Sequence, residues 1–370
     1  MARNLRWDPC IAHRHEDVPG FINEYFGDPN RRTLLIAGAG FDPRSVAIAT
    51  QLADAQARLS AIFIKEERPS PQQDLVDLAT ANGQSLKALI TSSEILPVDI
   101  FGPDEAVVGG RNVTNLISRQ QFRDVTDVVV DLSALSIGIS FPIIRYFAER
   151  IEKGQGPANL HVFVSHNPGT DTRIKSVASD SPGFVHGFRG GFTLDRSATA
   201  ARLWLPQLEF GRRIALGRLF DLIKPHDTCP ILPFPARDPR TGDALVEEYL
   251  AEFQGAWQVD ASNIVYADEG DPLDLYRTIL RLYDLRQRVF DETGGSLLVL
   301  SPLGSKLMAL GALMAALERD LPVAYLEAIE YNLEPTAPKE TGALHFVHVW
   351  LEGDVYPSPR PKLFAGGLGR

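Results

Sequence analysis

The stretch Leu297–Leu317, LLVLSPLGSKLMALGALMAAL, decides how this chain is read. Leu297, Leu298, Val299 and Leu300 form an apolar run of buried-strand type. Ser301-Pro302-Leu303-Gly304-Ser305 is a tight turn, and Lys306 to Leu317 is a helix apolar nearly all round, as a helix packed on a sheet is. The first-turn N–H groups of such a helix have no intrahelical partners, and its dipole adds partial positive charge. Ser305 is placed to cap it, and Lys306 adds a full cation. Strand, small-residue loop and helix start thus form a site for a phosphate or nucleotide. The alternative is an ordinary strand–turn–helix corner with a solvated lysine.

Working outward, 370 residues are enough for about two domains. A 44% hydrophobic and 23% charged composition is that of a globular protein. The net charge of −10 argues against broad nucleic-acid binding through a basic face, but leaves room for a local basic pocket for a small anionic ligand. Two cysteines, Cys10 and Cys229, make neither a disulfide framework nor a metal pattern. The start, MARNLRWDPC, lacks the apolar core of a signal peptide, and no apolar run has bilayer-spanning length, so a cytoplasmic protein without membrane contact is expected.

Strands alternate with helices along the chain, which implies parallel sheets with right-handed crossovers. The fold class expected is α/β, with two Rossmann-like units in tandem. Residues 1–32 are polar and read as a solvated leader; His13 and His15 beside Glu16 and Asp17 lack further ligands to complete a metal cluster. The first unit spans 33–166, with strands at Thr33–Ala37, Leu59–Ile64, Asp127–Leu132 and Asn159–Ser165. Residues 167–209 are a Gly-rich connection or insertion, in which His186 and Arg189 are candidate contacts. The second unit spans 210–333, with strands at Cys229–Pro233, Asn263–Ala267, Leu297–Leu300 and Val323–Ile329. Residues 334–370 hold a linker over 334–341, a last strand, Leu344–Leu351, and a Pro/Gly-rich tail. In that last strand alternation puts His345 and His348 on opposite faces, so they cannot pair with each other.

The two halves echo one another, which reads as duplication or as convergence on one topology. Gly38-Ala39-Gly40-Phe41-Asp42-Pro43-Arg44-Ser45 follows the first strand, and Asp238-Pro239-Arg240 follows the strand at 229–233. Acidic strand ends, Glu66-Glu67 and Asp268-Glu269, come next. Then a buried strand closes in a small-residue loop, Asp131-Leu132-Ser133-Ala134-Leu135-Ser136 in one half and Ser301–Ser305 in the other. Ligands on open parallel sheets bind at the carboxyl ends of the strands. The candidate ligand residues are therefore Gly38, Gly40, Asp42, Arg44, Ser45, Asp131, Ser133, Ser136, Arg240, Ser301, Gly304, Ser305 and Lys306, which converge on one cleft if the units pack as a pseudo-dimer. Arg44, Arg240 and Lys306 supply positive charge, and the serines supply hydroxyls and backbone donors. On the other reading Asp-Pro-Arg only builds a turn, with Arg paired to its own Asp. Gly38 and Gly40 match the start of a dinucleotide fingerprint, but Pro43 stands where its third glycine belongs.

Gly304-Ser305-Lys306-Leu307-Met308-Ala309-Leu310-Gly311 is similar to the lysine–helix element of the CRISPR-associated Rossmann-fold (CARF) sensors, and Asp131-Leu132-Ser133 resembles their Asp-x-Ser/Thr loop. The match covers about a tenth of the chain. Proline and leucine precede Gly304 where that family has a threonine- and glycine-rich turn, and its pattern does not include the Asp-Pro-Arg loops. The resemblance implies recognition of a cyclic oligonucleotide or related nucleotide, often in antiviral defence. No nuclease module is recognisable, so the partner it implies is a separate effector protein or a second copy of the chain. The rival expectations are an enzyme on a nucleotide or phosphorylated substrate, with Asp131, Asp42 or Glu327 as acid/base, and a structural subunit of a defence complex. No Ser-His-Asp order, zinc spacing or P-loop supports the enzyme.

Overall fold

The computed structural model describes residues 5–167, 174–190, 192, 200–290, 295–333, 344–356 and 361–364. The chain divides into two compact units, residues 1–179 with 327–360 and residues 180–326 with 361–370.

The first unit is built on one seven-stranded sheet. Its strands are β1 (Ala12–Arg14), β2 (Thr33–Gly38), β3 (Leu59–Glu67), β4 (Ser93–Asp99), β5 (Asp127–Asp131), β6 (Asn159–His166) and, from the end of the chain, β16 (His345–Glu352). The spatial order is β1-β16-β6-β5-β2-β3-β4. β2 to β6 pair in parallel, while β16 runs antiparallel to β6 and β1 antiparallel to β16. β2, β5 and β6 are buried along their whole length, as strands covered on both faces must be. One apolar core joins Leu35, Ala37, Phe63, Val129 and Phe163 to Val18, Ile22, Ile48, Leu52 and Leu86 from the helices. A separate two-stranded antiparallel sheet pairs β7 (Ile174–Ala178) with β15 (Ala328–Leu333).

The second unit contains β8 (Gly183–Phe184), β9 (Ala201–Pro206), β10 (Asp227–Thr228), β11 (Ile231–Pro233), β12 (Val265–Ala267), β13 (Ser296–Ser301) and β14 (Ala324–Tyr325). β13 and β10 flank β9, both in parallel. Parallel bridges at Gln207–Ile231 and Leu300–Val323 extend that ladder to β11 and to the chain entering β14, and β12 pairs in parallel with β11. With β10 and β11 counted as one interrupted strand, the order is third, second, first, fourth, fifth. The first unit has the same order in β4-β3-β2-β5-β6. The α/β class with parallel sheets stands.

Several boundaries differ from expectation. The leader is built into the first unit: β1 pairs with β16, Trp7 is fully buried, and helix Asp17–Phe21 runs on through Ile22–Phe26 to bury Val18, Ile22 and Phe26 at a four-residue spacing. The last strand, β16, closes the same sheet rather than standing apart. The region read as a connection contains β7, β8 and β9, the last being the central strand of the second unit. The stretch 323–329 is not one strand: Ala324–Tyr325 pairs in the second unit and Ala328–Leu333 in the first. β4, unexpected, is a half-exposed edge strand with Pro97 inside it, where a missing N–H is tolerated. The linker over 334–341 and the tail beyond 364 lie outside the described residues.

The missed strands shift the internal echo. Asp42-Pro43-Arg44 follows the first strand of its unit, whereas Asp238-Pro239-Arg240 follows the second strand of the other, so the two are not equivalent. Asp131–Ser136 and Ser301–Ser305 do correspond, since β5 and β13 are the fourth strands of their units.

Candidate ligand site

In each unit the first and fourth strands lie side by side with their crossovers leaving in opposite directions along the sheet, which opens a crevice at their carboxyl ends. In the first unit these strands are β2 and β5. The loops after them touch: an ideal Cβ on Gly38 would lie 2.8 Å from the Ala134 carbonyl oxygen, so only glycine fits there. Gly40, by contrast, has open space around it, and its carbonyl accepts from Asn82 at 2.9 Å.

Arg44 is not available as an anion contact. Its guanidinium is buried against the Asp42 carboxylate at 2.7 Å, and the same carboxylate accepts the Arg44 N–H at 2.9 Å. Ser45 completes the turn by donating its hydroxyl to the Asp42 carbonyl at 2.8 Å. The Asp-Pro-Arg segment is a capped 3-10 turn over Pro43–Val46, closed on itself.

Asp131 ends β5 and is 1% exposed. Its Oδ1 accepts from the Ser133 N–H at 2.9 Å and from the Ser133 hydroxyl, whose oxygen in turn accepts the Ser165 N–H at 2.7 Å. Oδ2 has no hydrogen-bond partner, nor does the buried Ser136 hydroxyl. Burial pushes the Asp131 carboxyl up to about 7, against the Ser133 hydrogen bonds, with nearby Asp42 adding to the rise.

The helix Ile137–Glu152 begins at this edge, and its N-terminus is already held by carboxylates of the protein itself. Glu66 accepts the Ser136 N–H at 2.7 Å, and the Glu327 carboxylate occupies the place a Cβ on Gly138 would take. Arg68 ties the two together, at 2.7 Å from each, and donates to the Ala328 carbonyl at 2.9 Å. The anion site that helix geometry offers here is filled from within.

The second unit is different. Helix Lys306–Arg319 starts after β13, and the Ser305 hydroxyl accepts the Met308 N–H at 3.3 Å, as expected of its cap. Ser301 is fully buried and accepts from the Trp204 indole at 2.9 Å, so it braces β9 against β13. Lys306 is half-buried at the head of the helix. Gln207, just past β9, is 1% exposed and donates through Nε2 to the Met308 carbonyl at 3.1 Å. Its Oε1 has no hydrogen-bond partner and lies 3.2 Å from an ideal Cβ on Gly304. Arg240 stands exposed after β11, 3.5 Å from its neighbour Asp238.

Gln207 escaped the sequence reading because β9 did. The run Leu203-Trp204-Leu205-Pro206 was its signal, hidden behind a Gly- and Ser-rich approach. The histidines were also misjudged: His13 contacts His348, and His15 meets His345 edge to face at 5.2 Å, because β1 pairs beside β16. No group of three or more His, Cys, Asp or Glu residues suited to a metal occurs among the described residues, nor does any helix long and apolar enough to cross a membrane.

No family model matches the chain, and no curated protein matches it. Among solved structures, a putative universal stress protein from Pseudomonas aeruginosa UCBPP-PA14 aligns at 11% identity over 81% of this chain and 94% of its own, with a TM-score of 0.23. A universal stress protein from Archaeoglobus fulgidus DSM 4304 aligns at 12% identity over 81% of this chain and 97% of its own, with a TM-score of 0.21.

Proposed function

We propose that the protein binds a small phosphate-bearing ligand, a nucleotide or cyclic oligonucleotide, at the Gln207–Ser301–Lys306 corner of the second unit, and that it acts as a sensor. The observation that supports this reading is the buried Gln207 Oε1, without a partner, beside a capped helix start and a lysine. A buried acceptor left unsatisfied is costly. A ligand with a hydroxyl or amino donor answers it, and the positive end of the capped helix favours an anionic group on the same ligand. The first unit holds its own carboxylates at the equivalent helix start, which disfavours an anionic ligand there. A sensor acts by binding two states unequally, and its output passes to an effector protein or a second copy of the chain. The resemblance to CARF sensors favours a cyclic oligonucleotide and a role in antiviral defence.

The test is a thermal-shift screen of linear and cyclic nucleotides, with mass spectrometry of whatever copurifies. A ligand at 100 times its dissociation constant should add about 2.7 kcal/mol of stability. Lys306→Ala and Gln207→Leu should each weaken that shift. A shift that survives both substitutions would remove the site from this corner. A second reading, an enzyme, is favoured by Asp131, a buried carboxyl poised near neutrality. On that reading the substrate binds in the first unit beside Asp131, and turnover that disappears in Asp131→Asn but survives Lys306→Ala would favour it over the sensor.

A further inference from the structure

A chain of buried histidines crosses the first unit at the end of the sheet where β1, β16, β6 and β5 lie in order. His13 Nδ1 lies 2.9 Å from His348 Nδ1, His348 Nε2 lies 3.1 Å from His161 Nδ1, and His161 Nε2 lies 3.3 Å from Asp127 Oδ1. His161 and His348 are fully buried, while His13 is half-buried at one end. Phe21 stacks on both His13 and His348, with ring centroids 4.2 and 4.4 Å away.

The network fixes the tautomers. Ionised Asp127 can only accept, so His161 donates through Nε2–H and must accept at Nδ1. His348 then donates through Nε2–H and accepts at Nδ1, which leaves His13 to donate through Nδ1–H. Every bond points toward Asp127, and the free lone pair of the chain is His13 Nε2, at the half-buried end.

We propose that His13, His348, His161 and Asp127 form a proton relay that admits one proton at His13 and stores it on the buried His161–Asp127 pair. The proton from solvent bonds to His13 Nε2. The Nδ1 proton of His13 passes to His348 Nδ1, and the Nε2 proton of His348 passes to His161 Nδ1. His161 ends as an imidazolium that still donates Nε2–H to the Asp127 carboxylate, and His13 and His348 end neutral with the two histidine–histidine hydrogen bonds reversed. One proton enters, none leaves, and no bond is left unmade. A second proton would put two imidazoliums side by side, so the chain holds one.

The surroundings fit that charge. Asp127 also accepts from the Tyr25 hydroxyl at 2.8 Å, from Thr126 at 2.5 Å and from Arg31 at 3.2 Å. Asp17 acts on His13 from the adjoining helix, and Arg31 opposes charge on His161. Burial holds all three imidazoles below the ordinary histidine range, His348 furthest, so uptake occurs on the acid side of neutrality. The device makes this edge of the sheet responsive to pH.

The test is imidazole 15N NMR of the full chain, labelled at histidine, from pH 8 to pH 4.5. Nε2–H tautomers at His161 and His348 and Nδ1–H at His13 are expected at pH 8, followed by uptake of one proton shared by these rings and settled on His161. Three independent protonations, or a different tautomer at His348, would overturn the relay. His13→Phe keeps the stack on Phe21 and removes the entrance. It should slow exchange of the His161 Nε2 proton with water at least tenfold, and unchanged exchange in a folded variant would overturn the proposal. Should that variant not fold, the tautomers and the proton count of the parent chain decide.

Discussion

Replacing Asp131 by Asn removes one titrating group from the first unit and leaves its shape. In the folded protein this carboxyl titrates at about 7, against about 3.9 in an unfolded chain. Between those values the folded state holds a proton that the unfolded state has released. The stability contributed is therefore fully present below about pH 4 and is lost as pH rises through about 7. Three units at 1.36 kcal/mol each set a ceiling of about 4 kcal/mol, of which about 2–3 falls between pH 5 and pH 8. Asparagine keeps an Oδ1 for the Ser133 N–H and cannot ionise. Urea unfolding of both proteins at pH 5 and pH 8 should show the variant gaining about 2–3 kcal/mol on the parent as pH rises. Buried histidines shift stability in the opposite direction, but they are common to both proteins and cancel in the difference. A parent–variant difference that does not change with pH would refute the argument.

Four further outcomes are expected. Arg44→Ala should leave ligand binding intact and cost about 3 kcal/mol or more, because it strands the buried Asp42 carboxylate; calorimetry and a thermal-shift titration read the two effects separately. Gly311→Ala should cost about 1–3 kcal/mol in chemical unfolding, since its Cβ would run into the Pro272 carbonyl and Leu275 on the neighbouring helix. Below about pH 6.5 the unfolded chain binds protons that buried neutral His348 and His161 resist, so His348→Leu should lose less stability than the parent as pH falls; melting temperatures of both proteins from pH 7 to pH 5 read that difference. Gly138→Ala should displace Glu327 from the helix start and lower the melting temperature, with Arg68 left to a single carboxylate; unchanged stability would count against the self-filled anion site.

What the sequence determined by itself is the class of architecture and its most local chemistry. Apolar runs such as Val128-Val129-Val130 and Leu297–Leu300, each followed by small residues and a helical stretch, dictate buried parallel strands and crossovers, because hydrogen bonding and burial act within a few residues there. The Ser305 cap was legible for the same reason. Partners far apart in the chain were not. Whether Arg44 meets a ligand or Asp42, whether Glu66 and Glu327 fill a helix start, and where His13 goes all depend on segments that sequence order does not join. His13 and His348 are brought together only because β1 and β16 pair across the length of the chain. β9 shows the same limit within one strand: its short apolar run becomes a central strand once β13 and β10 flank it. Tertiary structure thus decided which charges are already neutralised and which buried acceptors, Gln207 Oε1 and Asp131 Oδ2 among them, remain open, since those follow from pairing geometry and desolvation rather than from residue type.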